Sequence, residues 1–167
     1  WEKSGLMGRE LMGKTIGIAG LGNIGTLVSR KAKGFEMNVI GFDPVVSEEK
    51  AKDIGVTLKS LDEVFAQSDF ITLHVPLNDK TRGMIGAALL GSLKKDAMLI
   101  NTARAEVVDQ AALAEIFKAR EDLMYGADVF VEGDKEGEKS LAFLGDRLVC
   151  TPHLGANTSE ANRRAAI

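Results

Sequence analysis

The stretch GIAGLGNIGTLVSRKAKGFEMNVIGFDP, residues 17–44, constrains the fold more than any other part of the chain. The preceding run TIGIAG (15–20) is short, apolar and ends in glycine, which reads as a buried strand. Residues 24–34 carry a helical pattern with Gly34 as its stop, and MNVIGFD (37–43) reads as the next strand. Gly20, Gly22 and Gly25 therefore sit at a strand-to-helix turn, and Asp43 closes the following strand. This is the arrangement that receives a dinucleotide. Gly20 permits the tight turn, Gly22 lets the backbone approach a pyrophosphate, and Gly25 lets the helix pack against the strand. The helix start, with Asn23 and Ile24, offers N–H groups to phosphates. The Asp43 carboxylate can accept both ribose hydroxyls, and Pro44 follows it with no adjacent arginine to receive a 2′-phosphate. Two other readings share part of the pattern. One is a purely structural turn. The other is a methyltransferase using adenosylmethionine, whose turn usually lacks the third glycine.

The same alternation continues to the end of the chain. Ser47 caps a helix over 48–54 ended by Gly55, and Ser60 with Glu63 makes a capping box for a short one. DFITLHVP (69–76) reads as a strand stopped by Pro76, 87–93 as a helix, and AMLINT (97–102) as a strand. Asp109 caps a helix over 110–119; LMYGADVF (123–130) and RLVCTP (147–152) are strands, and a last helix runs over 157–166. The polar stretch EGDKEGEKS (132–140) reads as an exposed loop. Strand and helix in alternation predict an α/β fold, a doubly wound parallel sheet of the Rossmann NAD-binding type. The 167 residues make one such domain, with 1–13 as a lead-in from a missing N-terminal part. A net charge of −3 with scattered cations gives no footprint for nucleic acid or an anionic membrane. No apolar run reaches membrane-spanning length. The single cysteine, Cys150, excludes an intrachain disulfide framework and a cysteine-built zinc cluster, and no metal is expected. Within RLVCTP it reads as a small core residue, and a reducing cytoplasm is the expected compartment.

Four further stretches fall at strand C-terminal ends, where open α/β sheets hold ligands. They are HVPLNDKT (74–81), NTARAEVVDQAAL (101–113), GADVF (126–130) and TPHLGANT (151–158). With the lead-in GRELMGKTIGIAGLGNIG, they resemble the D-isomer-specific 2-hydroxyacid dehydrogenases over almost the whole chain. The resemblance implies NAD as cofactor and a small 2-hydroxy or 2-oxo acid as substrate. D-3-phosphoglycerate comes first, with hydroxypyruvate, glyoxylate and D-lactate as alternatives. It also implies a substrate domain that this chain lacks, and a homodimer formed through this domain.

Hydride chemistry on such an acid needs a fork for its carboxylate and a base for its hydroxyl proton. Arginine suits the first and histidine the second. From the residues alone, His74 and His153 are equivalent candidates. The resemblance makes His153 the acid/base, places Arg104 on the substrate carboxylate, and puts His74, Val75 and Pro76 on the adenine side of the cofactor. It further sets Asp128 beside the nicotinamide carboxamide and the backbone of Thr102, Ala103 and Arg104 along the ring. Thr81 and Pro76 frame the adenosine end, and His153 and Gly155 fall within the cofactor's reach.

The chain departs from the family pattern twice. Glycine usually follows the arginine; here Ala105 and Glu106 do. A left-handed backbone at 105 would cost alanine about 1 kcal/mol, and Glu106 is expected to face solvent. The family's catalytic glutamate falls on Gly133. Glu132 is expected to reach His153 through a local irregularity after Phe130, with Asp134 as second choice. A non-catalytic NAD-sensing module on the same fold also stays open: the glycine at 133 favours it, and the retention of Arg104 and His153 opposes it.

Overall fold

The structure is a computed structural model and describes residues 8–131 and 141–165. The elements run β1 (Thr15–Ala19), α1 (Asn23–Gly34), β2 (Asn38–Phe42), α2 (Glu48–Asp53), β3 (Thr57–Leu58), α3 (Leu61–Gln67) and β4 (Phe70–Leu73). They continue as α4 (Ala87–Gly91), β5 (Met98–Asn101), α5 (Gln110–Ala119), β6 (Met124–Ala127), β7 (Leu148–Cys150) and α6 (Ser159–Ala165), with 3₁₀ turns at Ala105–Val107 and Ala142–Arg147. The seven strands form one parallel sheet in the order β3-β2-β1-β4-β5-β6-β7. This is the doubly wound Rossmann topology that the alternation predicts.

Side-chain alternation along β1 separates the two faces. Ile16 and Ile18 join Ala32 of α1 and Ala51 of α2 in one apolar cluster. Ala19 joins Val64 and Phe65 of α3 in the other, which continues through Leu99 of β5 to Leu113 and Phe117 of α5. Gly17 allows the contact with α3, since a Cβ there would meet Val64 Cγ1 at 2.7 Å.

Local chemistry starts the helices. The Ser47 hydroxyl accepts from the Lys50 amide, and Ser60 and Glu63 form the full capping box. The Asp109 carboxylate accepts from the amides of Ala111 and Ala112 at 3.0 and 3.1 Å. Helix α1 differs: its N-cap is Gly22, with no side-chain cap.

Strands end earlier than the apolar patterns do. β4 stops at Leu73 and β6 at Ala127, because residues beyond those points leave the ladder to form the ligand-facing edge. Cys150 is exposed rather than a core residue. Its strand β7 is the sheet edge, and Val149 beside it is 55% exposed. The loop at 132–140 lies outside the described residues. No described helix is long and apolar enough to cross a membrane.

Candidate active site

The glycine turn is shaped from both sides. Gly20 has φ +96°, and a Cβ on it would meet the His74 carbonyl oxygen at 2.6 Å. At Gly25 a Cβ would fall well inside contact distance of the Gly20 carbonyl oxygen. Gly22 is different: φ is −68°, and nothing in the protein lies within 4 Å of where its Cβ would stand. Neither backbone strain nor packing requires glycine there. The open space above it, at an uncapped helix N-terminus, fits a phosphate group approaching the Asn23 and Ile24 amides. The Asp43 carboxylate folds into the same turn. One oxygen accepts from the Leu21 amide at 2.8 Å and the other from those of Val45 and Val46. These bonds hold the carboxylate beside the turn, where a cofactor ribose would lie.

A groove of about 530 Å³ runs from this turn across the strand ends. Gly22, Asn23 and Ile24 line one side, with Ile24 63% exposed into open space. His74, Val75, Pro76 and Leu77 line a second, and Thr102, Ala103 and Arg104 a third. Leu77 was not anticipated, since it carries no motif signal. Thr81 does not line the groove: its hydroxyl donates to the Pro76 carbonyl at 2.6 Å and accepts from the Asn78 amide, bracing the 76–81 turn. The His74 ring is partly buried, with Nε2 3.0 Å from the Thr72 hydroxyl. Burial pushes its pKa below the ordinary histidine value, so it stays neutral at pH 7.

The arginine loop is tied from beneath. The side chain of fully buried Asn101 donates to the Arg104 carbonyl at 2.9 Å and accepts from the Ala103 amide at 3.0 Å. Ala105 is buried and opens a 3₁₀ turn without a left-handed backbone, so the cost considered for that position does not arise. Glu106 lies within this 3₁₀ turn; it is partly exposed, and its carbonyl accepts from the Gly83 amide at 2.8 Å.

His153 stands on a turn after β7 with φ +56°, a conformation uncommon for any residue but glycine. Asp128, 7% exposed, holds that turn. One carboxylate oxygen accepts from the Thr151 hydroxyl and from the Leu154 amide at 2.7 Å; the other accepts from the Gly155 amide at 2.9 Å. Burial opposes the Asp128 charge, but these bonds outweigh it and hold the carboxyl below the usual carboxylate range. Asp128→Asn puts an NH₂ group where an amide now donates. We expect a loss of about 1–3 kcal/mol in stability and faster hydrogen exchange at Leu154 and Gly155. Unchanged exchange at those two amides would refute the anchoring role.

A second cavity, of about 220 Å³, is lined by Arg104, Ala105, Glu106, Val129, Phe130 and His153. Arg104 is common to it and to the groove, so the two spaces adjoin. The structure thus brings Arg104 and His153 together and leaves His74 on the groove side. Glu132, Asp134 and Gly133 lie outside the described residues.

Comparison with known proteins agrees with this geometry. Residues 1–155 match the model of the D-isomer specific 2-hydroxyacid dehydrogenase, NAD binding domain. The chain belongs to this family. As a 2-hydroxyacid dehydrogenase NAD-binding domain, it is 42% identical over 166 residues to the D-3-phosphoglycerate dehydrogenase of Methanocaldococcus jannaschii, covering 99% of this chain and 31% of that protein. It is 41% identical to the hydroxypyruvate reductase of Thermotoga maritima, covering 100% of this chain and 54% of that one. Among solved structures, the D-lactate dehydrogenase of Aquifex aeolicus, in complex with NAD and lactic acid, superimposes with a TM-score of 0.88 at 32% identity. That match covers 98% of this chain and 53% of the other. The chain therefore spans between about a third and a half of these relatives.

Proposed function

We propose that this domain serves an NAD-dependent dehydrogenase of small D-2-hydroxy acids. Arg104 carries the reading: it walls both the cofactor groove and the small cavity that holds His153. Gly20, Gly22, Gly25 and Asp43 would hold the cofactor, with the groove residues of the three loops around it. Bound NAD supplies the hydride acceptor. Arg104 forks onto the substrate carboxylate and fixes the acid in the cavity. A ring nitrogen of His153 takes the hydroxyl proton as the C2–H bond gives up its electron pair, and C2–OH becomes C2=O. In the reverse direction His153 returns that proton to the carbonyl oxygen. Asp128 keeps the ring in place through its hold on residues 151–155.

Among substrates, D-3-phosphoglycerate is the first reading, in keeping with the name borne by relatives at 42% and 39% identity. The product, 3-phosphohydroxypyruvate, would serve serine biosynthesis. A second reading is an unphosphorylated acid of the D-glycerate and hydroxypyruvate type. It is supported by the likeness to a hydroxypyruvate reductase at 41% identity over the whole chain. We further propose that the protein works in the cytoplasm as a homodimer, with a substrate-binding part outside this chain.

The natural polypeptide containing this chain is to be assayed for NADH formation with D-glycerate, D-3-phosphoglycerate and D-lactate. Turnover of at least one supports the reaction. NADH binding with no turnover of any would favour the non-catalytic, NAD-sensing reading. Cofactor choice is a separate expectation: Asp43 accepts ribose hydroxyls and repels a 2′-phosphate, so NADH should bind at least about tenfold tighter than NADPH, a difference near 1.4 kcal/mol. Calorimetric titration of both decides it, and equal affinities would overturn the role of Asp43.

A further inference from the structure

We infer that Asn101 is a positioning residue that joins the carboxylate-binding Arg104 to the mooring of the acid/base His153. The inference rests on the proposed reaction, because it takes Arg104 and His153 to act on one acid. Asn101 closes β5 and is fully buried, on the same face of the strand as fully buried Leu99. Its polar groups serve two loops. Through its side chain, Oδ1 accepts from the Ala103 amide at 3.0 Å and Nδ2 donates to the Arg104 carbonyl at 2.9 Å. Through its main chain, the carbonyl accepts from the Asp128 amide at 3.1 Å. The Asp128 carboxylate in turn accepts from the Leu154 and Gly155 amides, the two that follow His153. One buried residue thus stands between the loop that carries the fork and the loop that carries the base.

Arg104 needs such a hold. Among the described residues its guanidinium donates only to the neighbouring Ala103 carbonyl, at 2.7 Å, and it joins no ion pair. No other side chain fixes it, so its place is inherited from the backbone at 103 and 104. The Val107 amide also reaches the Arg104 carbonyl, but at 3.3 Å. Leucine and aspartate have nearly the shape of asparagine. Leucine supplies neither bond, and an ionised aspartate supplies the acceptor without the donor. Hydride and proton leave neighbouring atoms of one small acid, so the fork and the base must keep a fixed separation. A displacement of about 1 Å can cost about 10²-fold in rate.

The test uses the natural polypeptide, with whichever of D-glycerate, D-3-phosphoglycerate and D-lactate it turns over best. In Asn101→Ala, kcat should fall and KM for the acid should rise, lowering kcat/KM by about 10–100-fold. The NADH dissociation constant should change by less than about threefold, because the glycine turn is untouched. Hydrogen exchange at Leu154 and Gly155 should stay as in the parent, since the main-chain carbonyl at 101 remains. Asn101→Leu, which keeps the volume, should lose as much. Because Asn101 acts through Arg104, adding Asn101→Ala to Arg104→Lys should change kcat/KM by less than about threefold. In the parent itself the Ala103 amide should exchange slowly, a readout that decides even if neither variant folds. Rapid exchange there, parent-like kcat/KM in both variants, an NADH loss equal to the loss for the acid, or losses that multiply in the double variant would each overturn the role of Asn101 and leave the reaction standing. Absence of turnover by the parent with every D-2-hydroxy acid overturns the proposed reaction itself, and the role of Asn101 falls with it.

Discussion

His153→Ala should lower turnover by about 10²–10⁴-fold, the range typical of a general acid–base group, while NADH affinity stays near the parent's. His74→Ala should do the reverse, weakening NADH binding with a far smaller effect on turnover at saturating cofactor. The two residues differ in surroundings, not in chemistry. His74 follows β4 and lines the cofactor groove, its Nε2 against the Thr72 hydroxyl and its proton affinity reduced by burial. A neutral ring with a committed nitrogen is poorly placed to cycle a substrate proton. His153 lies in the cavity with the carboxylate-binding Arg104, on a turn that Asp128 fastens by three hydrogen bonds. Steady-state kinetics and NADH titration of both variants distinguish them. A turnover loss below tenfold for His153→Ala would mean that the proton goes elsewhere.

Gly25→Ala should unseat the cofactor and destabilise the domain together. The new methyl would press on the Gly20 carbonyl oxygen and lie 3.3 Å from Ile18 Cγ2. Neither can retreat. The Gly20 amide donates to the Phe42 carbonyl at 2.8 Å, and Ile18 is fully buried. Helix α1 must therefore lift from β1, costing about 1–3 kcal/mol of overpacking, and the amides at its N-terminus move with it. Gly22→Ala is the informative contrast. Nothing in the protein lies within 4 Å of the added methyl, so the melting temperature should hardly move while NADH affinity falls. Thermal melts with NADH titration of both variants test the pair. Should Gly22→Ala bind NADH as tightly as the parent, the open space above Gly22 is not where the pyrophosphate goes.

Much of this architecture was legible in the chain, for reasons that differ by element. Helix starts at Ser47, Ser60 and Asp109 depend on contacts within three residues, so their residue types announce them. The central strand β4 is buried over Ile71, Thr72 and Leu73 and reads as an apolar run. Strand ends are less visible: Val75 and Val129 remain buried after the ladder stops, because they pack at the site instead of pairing. Cys150 misleads in the opposite way, since an edge strand carries the apolar pattern without the cover. Glu106 could not be placed from spacing. Its backbone is set by the pairing of Ile85 with Val108, two loops remote in sequence, and by a 3₁₀ turn that glycine is not needed to make. The short strand β3 has only two residues, too few to show a period.

The division of labour along the strand ends has an evolutionary consequence. The groups that would grip the dinucleotide are concentrated between Gly20 and Asp43, within one strand–helix–strand unit in which Gly25 packs on Gly20 and Gly20 on the His74 carbonyl. The groups that would meet the acid arrive separately, from the loops after β5, β6 and β7, and two of these are moored by a buried side chain: the loop after β5 by Asn101 and the one after β7 by Asp128. A change such as glycine to glutamate at 106 alters the wall of the small cavity without touching any atom of the glycine turn. Duplicated copies of such a gene can therefore diverge in the acid they accept, one loop residue at a time, while inheriting an unaltered hold on the same redox coenzyme.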